Sequence, residues 1–199
     1  GAGGSTRERT HKTVARIIAE AGIPAAAHLT CVDASRQETQ RIAEQYWEAG
    51  VRHIVALRGD AGEPGAPFKP HPDGYNNAEE LVRGLKEVAD FEISVAAYPE
   101  CHPDARSPQS EIDYLKRKID AGASRAITQF FFAPETFFDF LDKTDRAGID
   151  VPIVPGIMIL QGYGGFKRMT GFCKSRVPRE VWTALEGIKE DVDKVKQYG

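Results

Sequence analysis

The chain has 199 residues, with 26 Lys and Arg against 29 Asp and Glu, which gives a formal net charge of −3 at pH 7. This near-neutral balance excludes the strongly basic surface that neutralises nucleic-acid phosphates. Hydrophobic residues make up 41% of the chain and charged residues 28%, a composition typical of soluble globular proteins rather than disordered or fibrous ones. Because no apolar run is long enough to span a bilayer and no N-terminal signal pattern occurs, we expect a cytoplasmic protein.

Three cysteines, Cys31, Cys101 and Cys173, are widely spaced and odd in number. This usage favours reduced thiols over a disulfide framework. The pairs His28 with Cys31 and Cys101 with His102 could begin a metal site, but their spacing matches no compact zinc pattern. We therefore predict neither a disulfide nor a metal centre.

Five short apolar runs, each bounded by turn residues, predict buried β-strands. They cover residues 23–29, 51–57, 91–97, 124–131 and 151–157. Between these runs the apolar residues recur at helical spacing, which predicts amphipathic helices. The helical sets are Val14, Ile17, Ile18 and Ala21; Leu81, Leu85 and Val88; and Ile112, Leu115 and Ile119.

Two helix starts are marked by capping residues. Ser35 and Glu38 have the spacing of a capping box, and Ser107 followed by Pro108 predicts an N-cap before a proline in the first helical turn. Helices therefore alternate with strands along the chain.

Strict alternation of helices with fully apolar strands predicts a parallel sheet covered by helices. Two architectures remain: a doubly wound sheet, which binds ligands near one switch point, and a (β/α)8 TIM barrel, which gathers polar residues from many strand ends. Four of the five runs end in polar residues, so we favour the α/β barrel. These ends are His28 and Thr30, Arg58 to Asp60, Tyr98 to Glu100, and Thr128 with Gln129.

An eight-unit barrel typically needs about 250 residues, whereas this chain supplies five strands. We therefore expect residues 1–199 to form an incomplete portion of a single barrel catalytic domain. The loop over residues 61–76 is the longest, and loops of that length usually have a role.

Asp60 and Gln129 are the first candidates for chemistry. A carboxylate after a barrel strand points to the catalytic face, although Asp60 could also be a turn residue among glycines. Gln129 is an amide amid aromatic residues, and an unpaired buried amide costs about 1 to 3 kcal/mol. It therefore needs either a structural partner or a ligand.

Two further groups have ordinary structural interpretations. The run Lys116 to Lys118 is expected to be a solvated helix face, yet it could reach a pyrophosphate. Phe137, Phe138 and Phe140 are expected to lie in the core.

Several strings in this sequence resemble the methylenetetrahydrofolate reductase family, in family order across nearly the whole chain. The strings are Arg9-Thr10-His11, His28-Leu29-Thr30-Cys31, residues 52–60 ending in Leu57-Arg58-Gly59-Asp60, residues 94–100 ending in Tyr98-Pro99-Glu100, residues 118–123, residues 127–132 and Pro155-Gly156-Ile157. The opening Gly1-Ala2-Gly3-Gly4 looks like the loop after the family's second strand. The resemblance therefore covers strands three to seven of the family's barrel.

This resemblance implies a (β/α)8 barrel that binds FAD and reduces 5,10-methylenetetrahydrofolate to 5-methyltetrahydrofolate with NADH or NADPH. The implied chemistry is ping-pong, with the flavin relaying hydride and the protein supplying orientation and charge. The family places such an enzyme in one-carbon metabolism and methionine biosynthesis. A homo-oligomer is also expected.

The resemblance also assigns roles to individual residues. Asp60 matches the family's aspartate near the flavin and pterin, where it stabilises a cationic iminium, and Gln129 matches the residue that hydrogen-bonds folate. Backbone contacts to the flavin are implied for Ala2 and Ala78. The positions implied to line the flavin, its ribose or its phosphates are His28, Arg58, Gly59, Tyr98, His102, Glu111, Arg117 and Lys118.

The chain departs from the family pattern in two places. It contains neither the first-strand glutamate that acts as general acid nor the last strand near the folate. Two alternatives therefore stay open: a non-catalytic flavin- or folate-binding barrel, and a cofactor-free barrel lyase or isomerase that uses Asp60 and His28 as acid and base.

Overall fold

The computed structural model describes residues 7–60 and 68–199. Helices and strands alternate as predicted over residues 7–173, and two further helices then follow with no described strand between them. The strands are β1 (Ala26–Thr30), β2 (His53–Leu57), β3 (Glu92–Ala97), β4 (Arg125–Thr128) and β5 (Ile153–Val154). The helices are α1 (Arg7–Arg16), α2 (Arg36–Glu48), α3 (Ala78–Val88), α4 (Pro108–Asp120), α5 (Pro134–Arg146), α6 (Tyr163–Cys173), α7 (Arg179–Ile188) and α8 (Val192–Tyr198).

The five strands form one sheet in the order β1-β2-β3-β4-β5. The pairs β1 with β2 and β2 with β3 are parallel. A doubly wound sheet reverses its strand order at a switch point, whereas a barrel adds strands in chain order. The sequential order therefore confirms the predicted α/β class and favours the barrel arrangement.

The register separates two faces of the sheet. Ala27 pairs with Ile54 and Ile54 with Ile93, and all three side chains are fully buried. On the other face His28 pairs with Val55 and Val55 with Ser94. Because successive side chains of a strand point to opposite faces, the first row belongs to the apolar core and the second carries polar groups.

All five strands are shorter than the apolar runs that predict them, and prolines explain two of these differences. Pro24 lies inside the predicted first strand, and β1 begins two residues after it. Pro152 and Pro155 flank β5, which is reduced to Ile153–Val154. A proline has no N–H to donate to the ladder, so each one limits the strand beside it. β4 ends at Thr128, before the aromatic residues that the prediction included.

Both predicted helix caps are present. The Ser35 Oγ accepts a hydrogen bond from the Glu38 N–H at 3.1 Å, and α2 begins at the next residue, Arg36. The Ser107 Oγ accepts from the Ser110 N–H at 3.1 Å, and α4 begins at Pro108. Each hydroxyl satisfies an N–H that the helix itself leaves without a partner.

The first predicted helix is only partly correct. α1 ends at Arg16 and continues as a π-turn over Ile17–Ala21, which Gly22 ends at a φ of 64°. Val14 is buried, but Ile17 is 38% exposed. A π-turn bonds residue i to i+5, so it shifts the apolar positions away from the face that a regular helix would keep.

One of the three phenylalanines predicted in the core is exposed. On α5, Phe140 is 2% exposed, whereas Phe138 is 63% exposed. Phe137 is half-buried and stacks on Phe131, with ring centroids 5.2 Å apart. Phe137 and Phe140 are three residues apart and share a helix face, which Phe138 does not. The prediction is therefore wrong for Phe138.

The chain divides into two compact units. The first comprises Gly1–Ala96 and Tyr114–Ala126, and the second comprises Ala97–Asp113 and Ile127–Gly199. In the second unit Leu160, Phe166, Leu185 and Val195 form a buried cluster. Among the helices in the described ranges, none has the length and hydropathy needed to cross a membrane.

A polar cluster lies on the sheet of the first unit, at the amino-terminal ends of its strands. The His53 Nε2 and the Ser94 Oγ are 2.7 Å apart, and Ser94 is fully buried. Arg125 and Glu92 form an ion pair at 2.6 Å. Desolvation lowers the pKa of His53; the Glu92 charge opposes this shift and Arg125 adds to it.

This lowered pKa predicts a pH dependence of stability. The unfolded chain protonates His53 below its ordinary pKa of about 6.5, while the folded protein resists protonation, so the free energy of unfolding falls as the pH drops below that value. The His53→Gln variant lacks this titration and keeps a side chain that can bond Ser94. We expect the stability advantage of the wild type to shrink between pH 7.5 and pH 5.5, ~1 unit either side of that value. Urea unfolding of both full-length proteins measures it, and a difference that does not vary with pH contradicts the assignment.

Candidate functional site

In the first unit, polar residues lie at the carboxyl end of β1 and directly after it. Thr30 is 3% exposed, and Cys31 is fully buried with its Sγ donating to the Arg58 carbonyl oxygen at 3.4 Å. His28 is exposed on the sheet face opposite Ala27, and partial desolvation of its ring lowers the pKa of His28. The imidazole is therefore held toward its neutral form, which can both donate and accept a hydrogen bond.

The turn after β2 depends on Gly59. Gly59 has a φ of 88°, and a Cβ there would lie 2.6 Å from the Val32 Cγ1. Only glycine adopts this conformation without strain. The turn leads to Asp60, whose side chain is exposed. The Arg58 guanidinium lies 4.8 Å from the centre of the Phe68 ring, an arrangement that orients the cation.

Lys118 on α4 is buried, which corrects the prediction that the run Lys116 to Lys118 is solvated as a whole. Lys118 is 2% exposed, and its Nζ donates to the Ala96 carbonyl oxygen at 2.6 Å. The same ammonium lies 4.7 Å from the centre of the Tyr114 ring. A charge removed from water needs such partners, so Lys118 is a fixed cation of the first unit.

Arg117 precedes Lys118 on α4 and is also implied by the family resemblance to bind the cofactor. Its side chain is exposed and forms an ion pair with Glu79 at 3.2 Å. The Ala78 N–H donates to the Tyr114 hydroxyl at 3.1 Å, and burial raises the pKa of Tyr114. Sequence reasoning missed Tyr114. The spacing in the sequence could have indicated it, because Tyr114 stands three residues before Arg117 and four before Lys118, and both cations contact its ring.

In the second unit, Tyr98 and His102 follow β3 and contact each other. Their rings meet edge to face with centroids 4.6 Å apart. The His102 Nδ1 accepts a hydrogen bond from the Asp104 N–H at 3.0 Å, which fixes the ring. Glu111 is 4% exposed, and burial raises the pKa of Cys101, with the Glu111 charge adding to the shift.

Gln129 directly follows β4 and has a structural partner. Its backbone N–H donates to the Ala97 carbonyl oxygen at 2.8 Å, and its side-chain Oε1 accepts from the Phe130 N–H at 3.1 Å. One residue earlier, the Thr128 Oγ1 accepts from the Gly156 N–H at 2.9 Å. The amide carbonyl is thus satisfied locally, while the Nε2 remains the donor that a ligand can use.

The structure therefore places the predicted site residues in two sets. In the first unit lie His28, Arg58, Gly59, Asp60, Ala78, Arg117 and Lys118, and in the second lie Tyr98, His102, Glu111 and Gln129. Ala2 lies outside the described residues. Cys31, Cys101 and Cys173 are free thiols. Within the described ranges, His, Cys, Asp and Glu side chains form no group of three placed to hold a metal ion.

A parallel sheet in sequential order, with polar residues after its strands, places the chain in the class of (β/α)-barrel proteins. Solved structures agree at the level of the fold. A phosphonopyruvate hydrolase shares a TM-score of 0.58 at 14% identity, over 97% of this chain and 72% of its own. A Clostridium thermocellum protein, described as binding two copies of 5-methyl-5,6,7,8-tetrahydrofolic acid, shares 0.56 at 16% identity, over 99% of this chain and 77% of its own.

Sequence comparison identifies the family. The profile of methylenetetrahydrofolate reductase matches residues 1–199, so the chain belongs to the methylenetetrahydrofolate reductase family, as the resemblance indicated. The 5,10-methylenetetrahydrofolate reductases of Pectobacterium carotovorum and Escherichia coli are 48% and 46% identical over all 199 residues. A Zea mays relative, methylenetetrahydrofolate reductase (NADH) 1, is 38% identical over 210 aligned residues and is covered to 35%. The chain spans 65% of the length of the two bacterial relatives.

Proposed function

We propose that the protein containing this chain reduces 5,10-methylenetetrahydrofolate to 5-methyltetrahydrofolate, with FAD as cofactor and NADH or NADPH as electron donor in a ping-pong reaction. The observation that carries the proposal is the match over all of residues 1–199 to relatives named 5,10-methylenetetrahydrofolate reductase, at 46% to 48% identity. Residues 1–199 then belong to a single catalytic domain, which we place in the cytoplasm.

The described residues fit a dianionic pyrophosphate with an attached ring system. Arg58, Arg117 and Lys118 supply three cations, and Lys118 is already desolvated at 2% exposure. Guanidinium groups bind phosphate oxygens through two parallel hydrogen bonds, and an ammonium acts as a point charge. Because the Lys118 ammonium is buried and bonded to the Ala96 carbonyl oxygen, it is proposed to act on the phosphates as a fixed charge.

Other residues suit the flavin ring and ribose. His28 offers a neutral imidazole, and Tyr98 and His102, whose rings meet edge to face, offer aromatic surface with polar atoms at its edge. Backbone contacts are proposed from Ala2 and Ala78, and Glu111 is proposed to reach the ribose or phosphates. When bound, the flavin supplies the hydride relay between the two substrates.

Asp60 and Gln129 are proposed to act on the folate. The exposed Asp60 carboxylate stands directly after the Gly59 turn and is available to stabilise a cationic iminium. Gln129 donates from its Nε2, because the Oε1 is held by the Phe130 N–H. The two residues thereby bind, orient and stabilise the substrate without moving a proton themselves.

The Asp60→Asn variant tests this assignment. We expect the rate of folate reduction to fall by about a hundredfold, the usual cost of removing one electrostatic contact to a developing charge, while NAD(P)H oxidation slows much less. Stopped-flow flavin absorbance measures both half-reactions in the full-length protein.

Asp90→Asn is the matched control. Asp90 is exposed and lies before the amino-terminal end of β3, whereas Asp60 lies after the carboxyl-terminal end of β2. Equal losses in both half-reactions, or no loss in either, contradict the role of Asp60. Full-length protein that retains no flavin on purification contradicts the proposed function as a whole.

A further inference from the structure

A carboxylate in the turn after β3 binds the backbone of a segment 76 residues further along the chain. The Glu100 Oε2 accepts a hydrogen bond from the Arg176 N–H at 2.8 Å, and both residues belong to the second unit. A hydrogen bond to an ionised acceptor is roughly twice as strong as one between neutral groups. Glu100 therefore ties two distant parts of this unit together.

The Glu100 side chain extends from a hydrogen-bonded turn. Within this turn the Cys101 N–H donates to the Tyr98 carbonyl oxygen at 3.0 Å. Because the backbone on both sides of Glu100 is fixed by this bond, the carboxylate can hold the segment that it binds.

The segment that follows α6, residues 174–176, also contacts the chain after β4. Lys174 ends α6 with a φ of 53°, a left-handed conformation that is unfavourable for a residue with a Cβ. Contacts outside α6 are therefore needed to keep this turn. Besides the bond to Glu100, the Ser175 Oγ donates to the Phe130 carbonyl oxygen at 3.4 Å. We call residues 174–176 the post-helix segment.

Helix α6 itself packs on the same stretch of chain. The Phe166 ring in its first turn meets the Phe132 ring edge to face, with centroids 5.4 Å apart, and Phe166 is 1% exposed. Phe132 in turn contacts Phe130, with centroids 5.7 Å apart. A buried ring thus anchors α6 near its start, and the post-helix segment anchors its far end.

Gln129 lies beside the second of these anchors. Its Oε1 accepts from the Phe130 N–H, and the Phe130 carbonyl oxygen accepts from the Ser175 Oγ. Both polar groups of the Phe130 backbone are thus engaged, one by the proposed folate contact and the other by the post-helix segment. A rotation of the Phe130 backbone would turn the Gln129 side chain with it.

We propose that Glu100 is a positioning residue for the folate, which acts through the post-helix segment on Phe130 and so on Gln129. Glu100 holds the segment, the segment fixes the Phe130 backbone, and the Gln129 Nε2 is thereby kept in one orientation. A displacement of about 1 Å that is caused at a distance can lower a rate about a hundredfold, so such a restraint has a measurable effect. This inference rests on the proposed function, because it takes Gln129 as a contact of the folate.

Two substitutions in the full-length protein separate the hydrogen bond from the charge of the side chain. Glu100→Met keeps a similar length and has no oxygen acceptor, whereas Glu100→Gln keeps an oxygen acceptor and lacks the charge. Stopped-flow mixing of the reduced protein with increasing folate gives the folate concentration for half-maximal rate. We expect Glu100→Met to raise it about tenfold, the effect of losing one hydrogen bond to a charged group, and Glu100→Gln to raise it less than about threefold. The dependence on NAD(P)H is expected to stay within about twofold in both variants.

Ser175→Ala tests the path from Glu100 to Phe130. We expect this substitution to weaken folate binding in the wild type and to add less than about twofold in the Glu100→Met protein, because residues that act through one another are not additive. Glu180→Met is the matched control. It removes an exposed carboxylate from the first turn of α7 in the same unit, and we expect an unchanged dependence on folate.

Limited digestion with trypsin supplies a measurement that does not depend on the reaction. Trypsin cleaves after Lys174 and Arg176, so release of the post-helix segment makes the Glu100→Met protein faster to cut there. We expect the wild type and Glu100→Gln to be cut slowly.

Three results would overturn the inference. One is unchanged cleavage of the post-helix segment in the Glu100→Met protein, and another is an equal loss of affinity for both substrates. The last is a Glu100→Gln protein that behaves like Glu100→Met. Wild-type protein that retains no flavin or reduces no folate contradicts the proposed function instead, and the cleavage rates then still decide whether Glu100 holds the segment.

Discussion

The Gly156→Ala variant of the full-length protein is expected to lose at least about 3 kcal/mol of stability, the upper part of the range for overpacking. A Cβ at Gly156 would overlap the Thr128 carbonyl oxygen and lie 3.2 Å from its carbonyl carbon and 3.3 Å from the Phe130 N. These are backbone atoms at the end of β4, and they cannot rotate away as a side chain can. Urea unfolding and thermal melting measure the loss.

Gly171→Ala is the matched control for this variant. Gly171 lies within α6, and a Cβ there meets no atom within 4 Å. Alanine favours a helix over glycine by about 1 kcal/mol, so we expect Gly171→Ala to be neutral or stabilising. Equal stability of the two variants would show that the end of β4 can shift, and would contradict the close contact.

The position of this contact also connects it to function. The carbonyl that a Cβ at Gly156 would displace belongs to the peptide that joins Thr128 to Gln129. Displacing this peptide moves Gln129, the proposed folate contact, more than any other residue of the site. In Gly156→Ala protein that remains folded, we therefore expect the KM for folate to rise more than the KM for NAD(P)H.

The second large effect is expected for Gly84→Ala, which should cost about 2 to 3 kcal/mol. Gly84 lies in α3, and a Cβ there would overlap the Tyr75 hydroxyl and lie 2.7 Å from its Cε1. Tyr75 is 3% exposed, and the Arg36 guanidinium covers its ring at 5.0 Å. The ring therefore has little room to move, and α3 must shift away from it.

Helix propensity makes this prediction sharper, because alanine in place of glycine should stabilise a helix in the absence of a clash. Gly187→Ala in α7 has open space around the added Cβ and measures that gain. Thermal melting of both full-length variants should shift in opposite directions. A stabilised Gly84→Ala protein would mean that Tyr75 leaves its place at little cost.

The existence and order of the strands could be predicted from sequence because each is an apolar run between turn residues. Their bounds could not, since apolarity does not show where hydrogen bonding stops. Pro152 and Pro155 carried that information for β5, because a residue without an N–H ends the ladder. The predicted caps at Ser35 and Ser107 were correct because a side-chain oxygen at a helix start acts within four residues of itself.

Only part of the candidate site could be predicted from the sequence. The residues after the strands could be found because polar groups at the end of an apolar run stand out. The burial of Lys118 does not follow from charge alone, because the run Lys116 to Lys118 looks like one charged block in the sequence. Helical geometry separates its members by 100°, and Lys118 falls one turn after Tyr114 and Leu115 on the buried side. The exposure of Phe138 was missed for the same reason.

The sequential order of the sheet has a consequence for synthesis on the ribosome. His28 and Val55 are opposite each other in the sheet and 27 residues apart in the chain, and Val55 and Ser94 are 39 residues apart. At about 5 to 20 residues per second, each of these strands emerges roughly 1 to 8 seconds after the one it pairs with. Among the described strands, each one after β1 can therefore dock on the edge of a strand that already exists. We expect this sheet to grow in the order in which it is translated, with α2, α3, α4 and α5 each covering its strand before the next arrives.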